Sequence, residues 1–293
     1  MPPSDIPDLP ETPVDQGRTL IPVVVERPAT QPLPLVISLP HSGRAYQESF
    51  ISRTRLTLSE LRSGEDAFVD LLAADTPGLG ATLIQATFPR VVCDVNRAPL
   101  DVDPSEVRGA GGRFFRPGAR ARAGLGSIPA VVSGGKKIYA RPLSFPEVSS
   151  RLNEMWKPYH KTLHGLLREM RDHFGICVLL DLHSMMPGLC EDQAEFVIGD
   201  RFGQSSDQRF VAAIEDSLRE AGADVRRNRP FAGGFITEHY GSPGENIHAV
   251  QIEIRQDLYM HGKEAGLSTG FARTRGQISA LTQRLGWELT ATG

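Results

Sequence analysis

Three short apolar runs constrain this 293-residue chain more than any other feature: LPLVISLP at 33–40, ICVLLDLHS at 176–184 and AVQIEI at 249–254. Each is of strand length and apolar at successive positions, the pattern of a strand covered on both faces. Such strands need helices above and below them, so a mainly parallel or mixed central sheet is implied. Helical patterns fall between the runs. One extends from Thr57 to about Ala74 with an interruption at Gly64. Another covers Phe145–Phe174, with Pro158 marking a break or second start; others cover Ser206–Ala221 and about the last 30 residues. Further strands are predicted at Thr19–Glu26, Ala81–Ala86, Arg90–Val95 and Phe196–Gly199. The alternation predicts a three-layer α/β sandwich forming one domain over residues 19–293. Residues 1–18, rich in proline and acid, read as a loosely attached tail. The stretch 101–142, with Gly109, Gly111, Gly112 and Gly118, reads as a long loop insertion, and a loop of that length in a compact domain is usually functional or disordered.

Composition narrows the function classes. Lys+Arg 32 against Asp+Glu 35 gives a net charge of −3 with no basic stripe, which argues against nucleic acid as a partner. The three cysteines, Cys93, Cys177 and Cys190, are odd in number and widely spaced, which suits reduced thiols rather than a disulfide framework. The N-terminus lacks the basic-then-apolar pattern of a secretory leader, and no apolar run is long enough for a membrane span. A cytoplasmic protein acting on a small molecule, with no membrane partner, is expected; the sequence sets no oligomeric state.

In parallel sheets ligands gather beyond the carboxyl ends of strands, so the polar residues there carry the functional reading. LVISLP runs into His41, VLLDL into His183, and VQI into Glu253. Two imidazoles at strand ends suit a zinc site, which for catalysis takes three protein ligands and leaves one position open. Glu65 and Asp66 are the nearest carboxylates for the third place; the ordinary alternative for both is an acid at a helix start. Glu253 lies inside an apolar strand, where an unpaired carboxylate costs several kcal/mol, so it needs a partner or a function such as general base. The ordinary alternative is a structural pairing with its strand neighbour Arg255. Asp181 alternates onto the face of His183 and is placed to orient it. Asp94 lies near the end of the predicted 90–95 strand and Asn96 and Arg97 follow it, with Arg97 suited to a carboxylate or an oxyanion. Gly233 and Gly234 allow close backbone approach, Thr237 adds a hydroxyl, and His239 adds a donor.

The motifs PHSG (40–43), EDAFVD (65–70), DVNR (94–97), WKPYH (156–160), DLHS (181–184), GGFITEHYG (233–241) and HAVQIEI (248–254) together resemble the N-formylglutamate amidohydrolase family, over about residues 33–260. That family is distantly similar to zinc carboxypeptidases and aspartoacylases. The resemblance implies a zinc-carboxypeptidase-like fold and a zinc-dependent amidohydrolase acting on an N-acylated acidic amino acid, with N-formyl-L-glutamate the first candidate. Alternatives are another N-acyl amino acid, a peptide-like amide, or a ligand-binding homologue without activity. It further implies metal ligands His41, Asp66 and His183 and a catalytic Glu253. Arg97, with Asn96, would bind an anionic group, while Gly233, Gly234, Thr237 and His239 would lie on the substrate side. Carboxypeptidases carry a glutamate three residues after the first histidine, whereas this chain has Arg44, and the resemblance to the amidohydrolase family points to Asp66 as its replacement. The loop 101–142, with Arg113, Arg116, Arg120 and Arg122, departs most from the family pattern and bears on substrate choice.

Overall fold

The computed structural model describes residues 14–15, 20–30, 32–109, 114–190, 192–262 and 266–291. Its centre is a seven-stranded sheet. In chain order the strands are β1 (Val23–Glu26), β2 (Leu35–Leu39), β3 (Thr82–Ala86), β4 (Cys177–Met185), β5 (Phe196–Gly199), β6 (Val225–Arg227) and β7 (Ile247–Arg255), arranged β6-β5-β7-β4-β2-β3-β1. The four pairs β6/β5, β7/β4, β4/β2 and β2/β3 are parallel, while β7/β5 and β3/β1 are antiparallel, so the sheet is mixed.

Period-two alternation sorts the side chains of the central strands into two cores. Leu35, Ile37, Leu180, Leu182, Val250 and Ile252 face a layer built by the helices Gln208–Glu220 and Phe271–Thr290. Val36, Leu179 and Ala249 face the opposite layer, dominated by the helix Lys157–Phe174. The three-layer expectation therefore holds. Ser38, Asp181, His183, Gln251 and Glu253 follow the second set by alternation. The register sets Ser38 and Gln251 beside Asp181, and Glu253 beside His183. Polar groups on three adjacent strands are thus lined up at one end of one face.

Several boundaries differ from expectation. Residues 90–95 form turns rather than a strand: Val92 N donates to Pro89 O and Asp94 N to Ser127 O, while Val91, Val92, Cys93 and Val95 bury into the helix-side core. Their apolar character reported burial, not sheet pairing. The 57–74 helix is two short ones, Leu58–Arg62 and Val69–Leu72, separated around Gly64, the first opened by a Thr57–Glu60 capping box. Within 145–174 a π-helical turn, Leu152–Trp156, precedes Pro158, which sits in the first turn of the following helix. Proline has no N–H to donate, and the widened turn absorbs that missing bond.

The 101–142 stretch holds a 3-10 turn (Pro104–Glu106), a two-residue strand (Val107–Arg108) paired with Leu143–Ser144 and one helical turn (Ala119–Arg122), and is mostly irregular elsewhere; Gly111, Gly112 and Arg113 lie outside the described residues. Of the expected tail, Val14–Asp15 pairs with Tyr46–Gln47 and residues 1–13 and 16–18 lie outside the described residues. Among the described residues no helix is long and apolar enough to cross a membrane.

Candidate active site

The carboxyl ends of β2, β4 and β7 open into a cavity of about 400 Å³. His41 lies two residues past the end of β2, and the loop it opens is pressed against the end of β3: a Cβ on Gly43 would overlap the carbonyls of Ala86 and Phe88. Only glycine fits there. Asp66 enters from the break between the two short helices, its N–H donating to His41 O at 3.2 Å.

His41, Asp66 and His183 are all buried, and one ligand atom from each lies within 4.8 Å of the others. Asp66 Oδ2 is 3.0 Å from His183 Nδ1 and 3.3 Å from His41 Nδ1. The far nitrogen of each imidazole is held by its own carboxylate: His41 Nε2 by Asp94 Oδ1 and His183 Nε2 by Asp181 Oδ2, both at 2.8 Å. Those aspartates hold Nε2 of each ring and leave Nδ1 as the nitrogen that faces Asp66, the usual arrangement behind a metal-binding histidine. Ser184 Oγ donates to Asp66 Oδ1 (3.2 Å), leaving Oδ2 for the space between the rings.

The residues fit a divalent cation on two counts. His41 Nδ1 is buried and makes no hydrogen bond, an expense that coordination would remove. In addition, four carboxylates, Asp66, Asp94, Asp181 and Glu253, converge on two imidazoles and the Arg90 guanidinium, which donates to Asp94 Oδ2 at 2.7 Å. Oxygen and imidazole nitrogen donors gathered in that number suit a divalent cation. Glu65 is engaged elsewhere: Tyr46 OH and Arg62 Nε donate to its two oxygens at 2.6 and 3.0 Å, which favours Asp66 as the third ligand. Arg44 pairs with Asp70.

Electrostatics separates the acids. Burial would raise the Asp66 pKa, but the imidazoles of His183 and His41 outweigh it and hold the carboxyl well below its usual range. The same competition, with Arg90 and His41 as the cations, depresses Asp94. For His183, burial pulls the pKa down, yet Asp181 and Asp66 push it well above the ordinary value. Glu253 is pushed up to about 8, by burial first and by the nearby Asp66 and Asp181 charges, against the opposing pull of His183 and Arg90. Gln251 donates to Glu253 Oε1 at 2.8 Å and its own carbonyl oxygen accepts from Gly234 N at 2.7 Å, so the carboxyl is oriented with Oε2 free.

Asn96, Arg97, Gly233 and Gly234 line the cavity with these groups. A Cβ on Gly234 would overlap the Asn96 amide, which accepts from Ile236 N at 2.8 Å and adjoins His183 Nε2. Thr237 and His239 do not reach the cavity. Both ride on the short helix Phe235–Tyr240, where Thr237 is buried behind Gly233. His239 stacks on Phe235 and lines a separate outer groove beside the helix Lys157–Phe174. Three contributors were not anticipated: Asp94 as the partner of His41, Gln251 as the holder of Glu253, and Ser38, which donates to Asp181 Oδ1 at 2.6 Å. The available signal was the same for all three, a polar residue inside an apolar run.

A sequence model of the N-formylglutamate amidohydrolase family matches residues 33–260. An N-formylglutamate deformylase of Pseudomonas putida is 34% identical over 241 residues, covering 79% of this chain and 84% of the relative. One from Pseudomonas aeruginosa is 31% identical over 245 residues, covering 78% and 82%. The crystal structure of N-formylglutamate amidohydrolase from Ralstonia eutropha superposes with a TM-score of 0.89 at 35% identity, over 94% of this chain and 100% of that one.

Proposed function

Because the chain belongs to the N-formylglutamate amidohydrolase family, we propose that it hydrolyses N-formyl-L-glutamate to L-glutamate and formate, using a zinc ion held by His41, Asp66 and His183. The observation that carries the metal-dependent part is the convergence of these three ligand atoms, with each imidazole backed by a separate aspartate. When bound, such an ion supplies Lewis acidity to the attacking water and the formyl oxygen.

The remaining steps belong to the protein. Glu253, oriented by Gln251, accepts a proton from the attacking water at Oε2 and returns it to the departing amide nitrogen. Its raised pKa suits that exchange, and positive charge in the adjacent cage lowers the value toward the ionised form a base needs. Arg97, with Asn96, holds a substrate carboxylate and so fixes the amide against the cage.

The test is formate release from N-formyl-L-glutamate together with metal content. The purified protein should carry about one divalent ion per chain. Glu253→Gln should keep the ion and lose activity by about a hundredfold or more. Absence of formate release from metal-replete protein overturns the activity, while full activity in Glu253→Gln removes that residue from the mechanism.

A further inference from the structure

Arg97 and Arg120 both line the cavity. Arg120 stands on the helical turn Ala119–Arg122 of the 101–142 loop, and the backbone ties that turn to Arg97: Leu125 N donates to Arg120 O at 2.8 Å, and Arg97 Nε donates to Leu125 O at 3.2 Å. The other donor contact of Arg97 is to Asn96 O. Among the described residues neither guanidinium is paired with a carboxylate. The two acids whose charges act on Arg97 are engaged elsewhere: Asp94 accepts from His41, Arg90 and the Asn96 N–H, and Asp101 Oδ1 accepts from Gly118 N. Arg97 is half-buried and its pKa is lowered, by burial first and by the positive charges of Arg90 and Arg120, against the opposing pull of the Asp94 and Asp101 charges. Two mutually repelling cations in one cavity, neither of them in an ion pair among the described residues, are suited to a ligand that brings two negative charges.

We propose that Arg120 binds the side-chain carboxylate of the substrate while Arg97 takes its α-carboxylate, so that Arg120 sets the preference for dicarboxylic over neutral N-acyl amino acids. The assignment follows from position. Arg97 adjoins Asn96, which touches His183, and the α-carboxylate is the one near the scissile amide. Arg120 stands on the exposed loop, where a carboxylate two methylenes further along the substrate arrives. The inference rests on the proposed activity only for the identity of the substrate.

The test uses ligands that cannot be hydrolysed. Glutarate, a dicarboxylate, and butyrate, its monocarboxylate counterpart, are titrated calorimetrically into the purified protein and into Arg120→Met and Arg120→Lys. Arg120→Met should weaken glutarate about tenfold and leave butyrate within about twofold, with Arg120→Lys recovering part of the loss. The exposed position of Arg120 makes both variants compatible with folding. Equal weakening of both ligands, unchanged glutarate binding, or no glutarate binding to the unaltered protein overturns the proposal. Because neither ligand carries an amide, absence of formate release from N-formylglutamate would sink the deformylase reading while the calorimetry still decides the role of Arg120.

Discussion

His183 and His160 are buried to a similar degree, with 3% and 6% of their surfaces exposed, yet their surroundings drive them apart. His183 lies between two carboxylates, Asp181 on Nε2 and Asp66 on Nδ1, and they hold its pKa well above the ordinary value despite burial. His160 stacks on Trp156 with ring centroids 3.9 Å apart. Its Nε2 donates to Val95 O and its Nδ1 accepts from Tyr240 OH, both at 2.8 Å. With neutral partners only, burial prevails and its pKa falls to about 4. Burial alone therefore does not decide what a histidine does; the charge on its two neighbours does.

The largest test of that contrast is to remove each ring. His183→Ala deletes one proposed ligand and should abolish bound metal and lower formate release by about a thousandfold or more. His160→Ala should keep its metal and lose stability instead, by about 2–4 kcal/mol in denaturant unfolding, through the cavity left beneath Trp156. Metal retained at full stoichiometry in His183→Ala would break the comparison at its stronger end.

A smaller effect isolates the carboxylates behind the imidazoles. Asp181→Asn and Asp94→Asn keep the shape of the side chain but no longer hold the Nε2 proton. Each should weaken metal affinity by about 10- to 100-fold in competition with a chelator. The two variants should be similar, because each aspartate contacts its imidazole at 2.8 Å. A loss confined to one of them would mean that the two rings are not equivalent in the cage.

The unequal legibility of these groups in the sequence has a physical origin. His41, His183 and Glu253 stand where an apolar strand ends or is interrupted, and period-two alternation alone puts Asp181 on the face of His183. Asp94 sits in an equally apolar run, but that run is a turn sequence folded into the helix-side core, so no strand geometry could lead from Asp94 to His41. His239 shows the converse. Its residue type was informative, but its destination depended on how the Phe235–Tyr240 helix packs, and that packing turns it into the outer groove. Local pattern carries chemistry as far as the strand end; beyond it, loop and helix placement is tertiary.

The finest test of the comparison is the acid limb of the stability curve. A histidine whose folded pKa lies below its unfolded value of about 6.5 binds fewer protons when folded. Its contribution is complete above about pH 6.5 and is lost as pH falls toward about 4, where the folded form also protonates. Between pH 7 and about 5.5 this amounts to about 1 kcal/mol for His160. His239 and His248 shift in the same direction, and His183 in the opposite one, so the informative quantity is the difference between the protein and His160→Gln, which keeps a donor for Val95 O without a titrating ring. Denaturant unfolding of the variant at the two pH values should show a drop smaller by about 1 kcal/mol, whatever its absolute stability. An identical drop in both proteins would mean that His160 is as easily protonated folded as unfolded, and that its neutral surroundings do not set it apart from the rings at the cage.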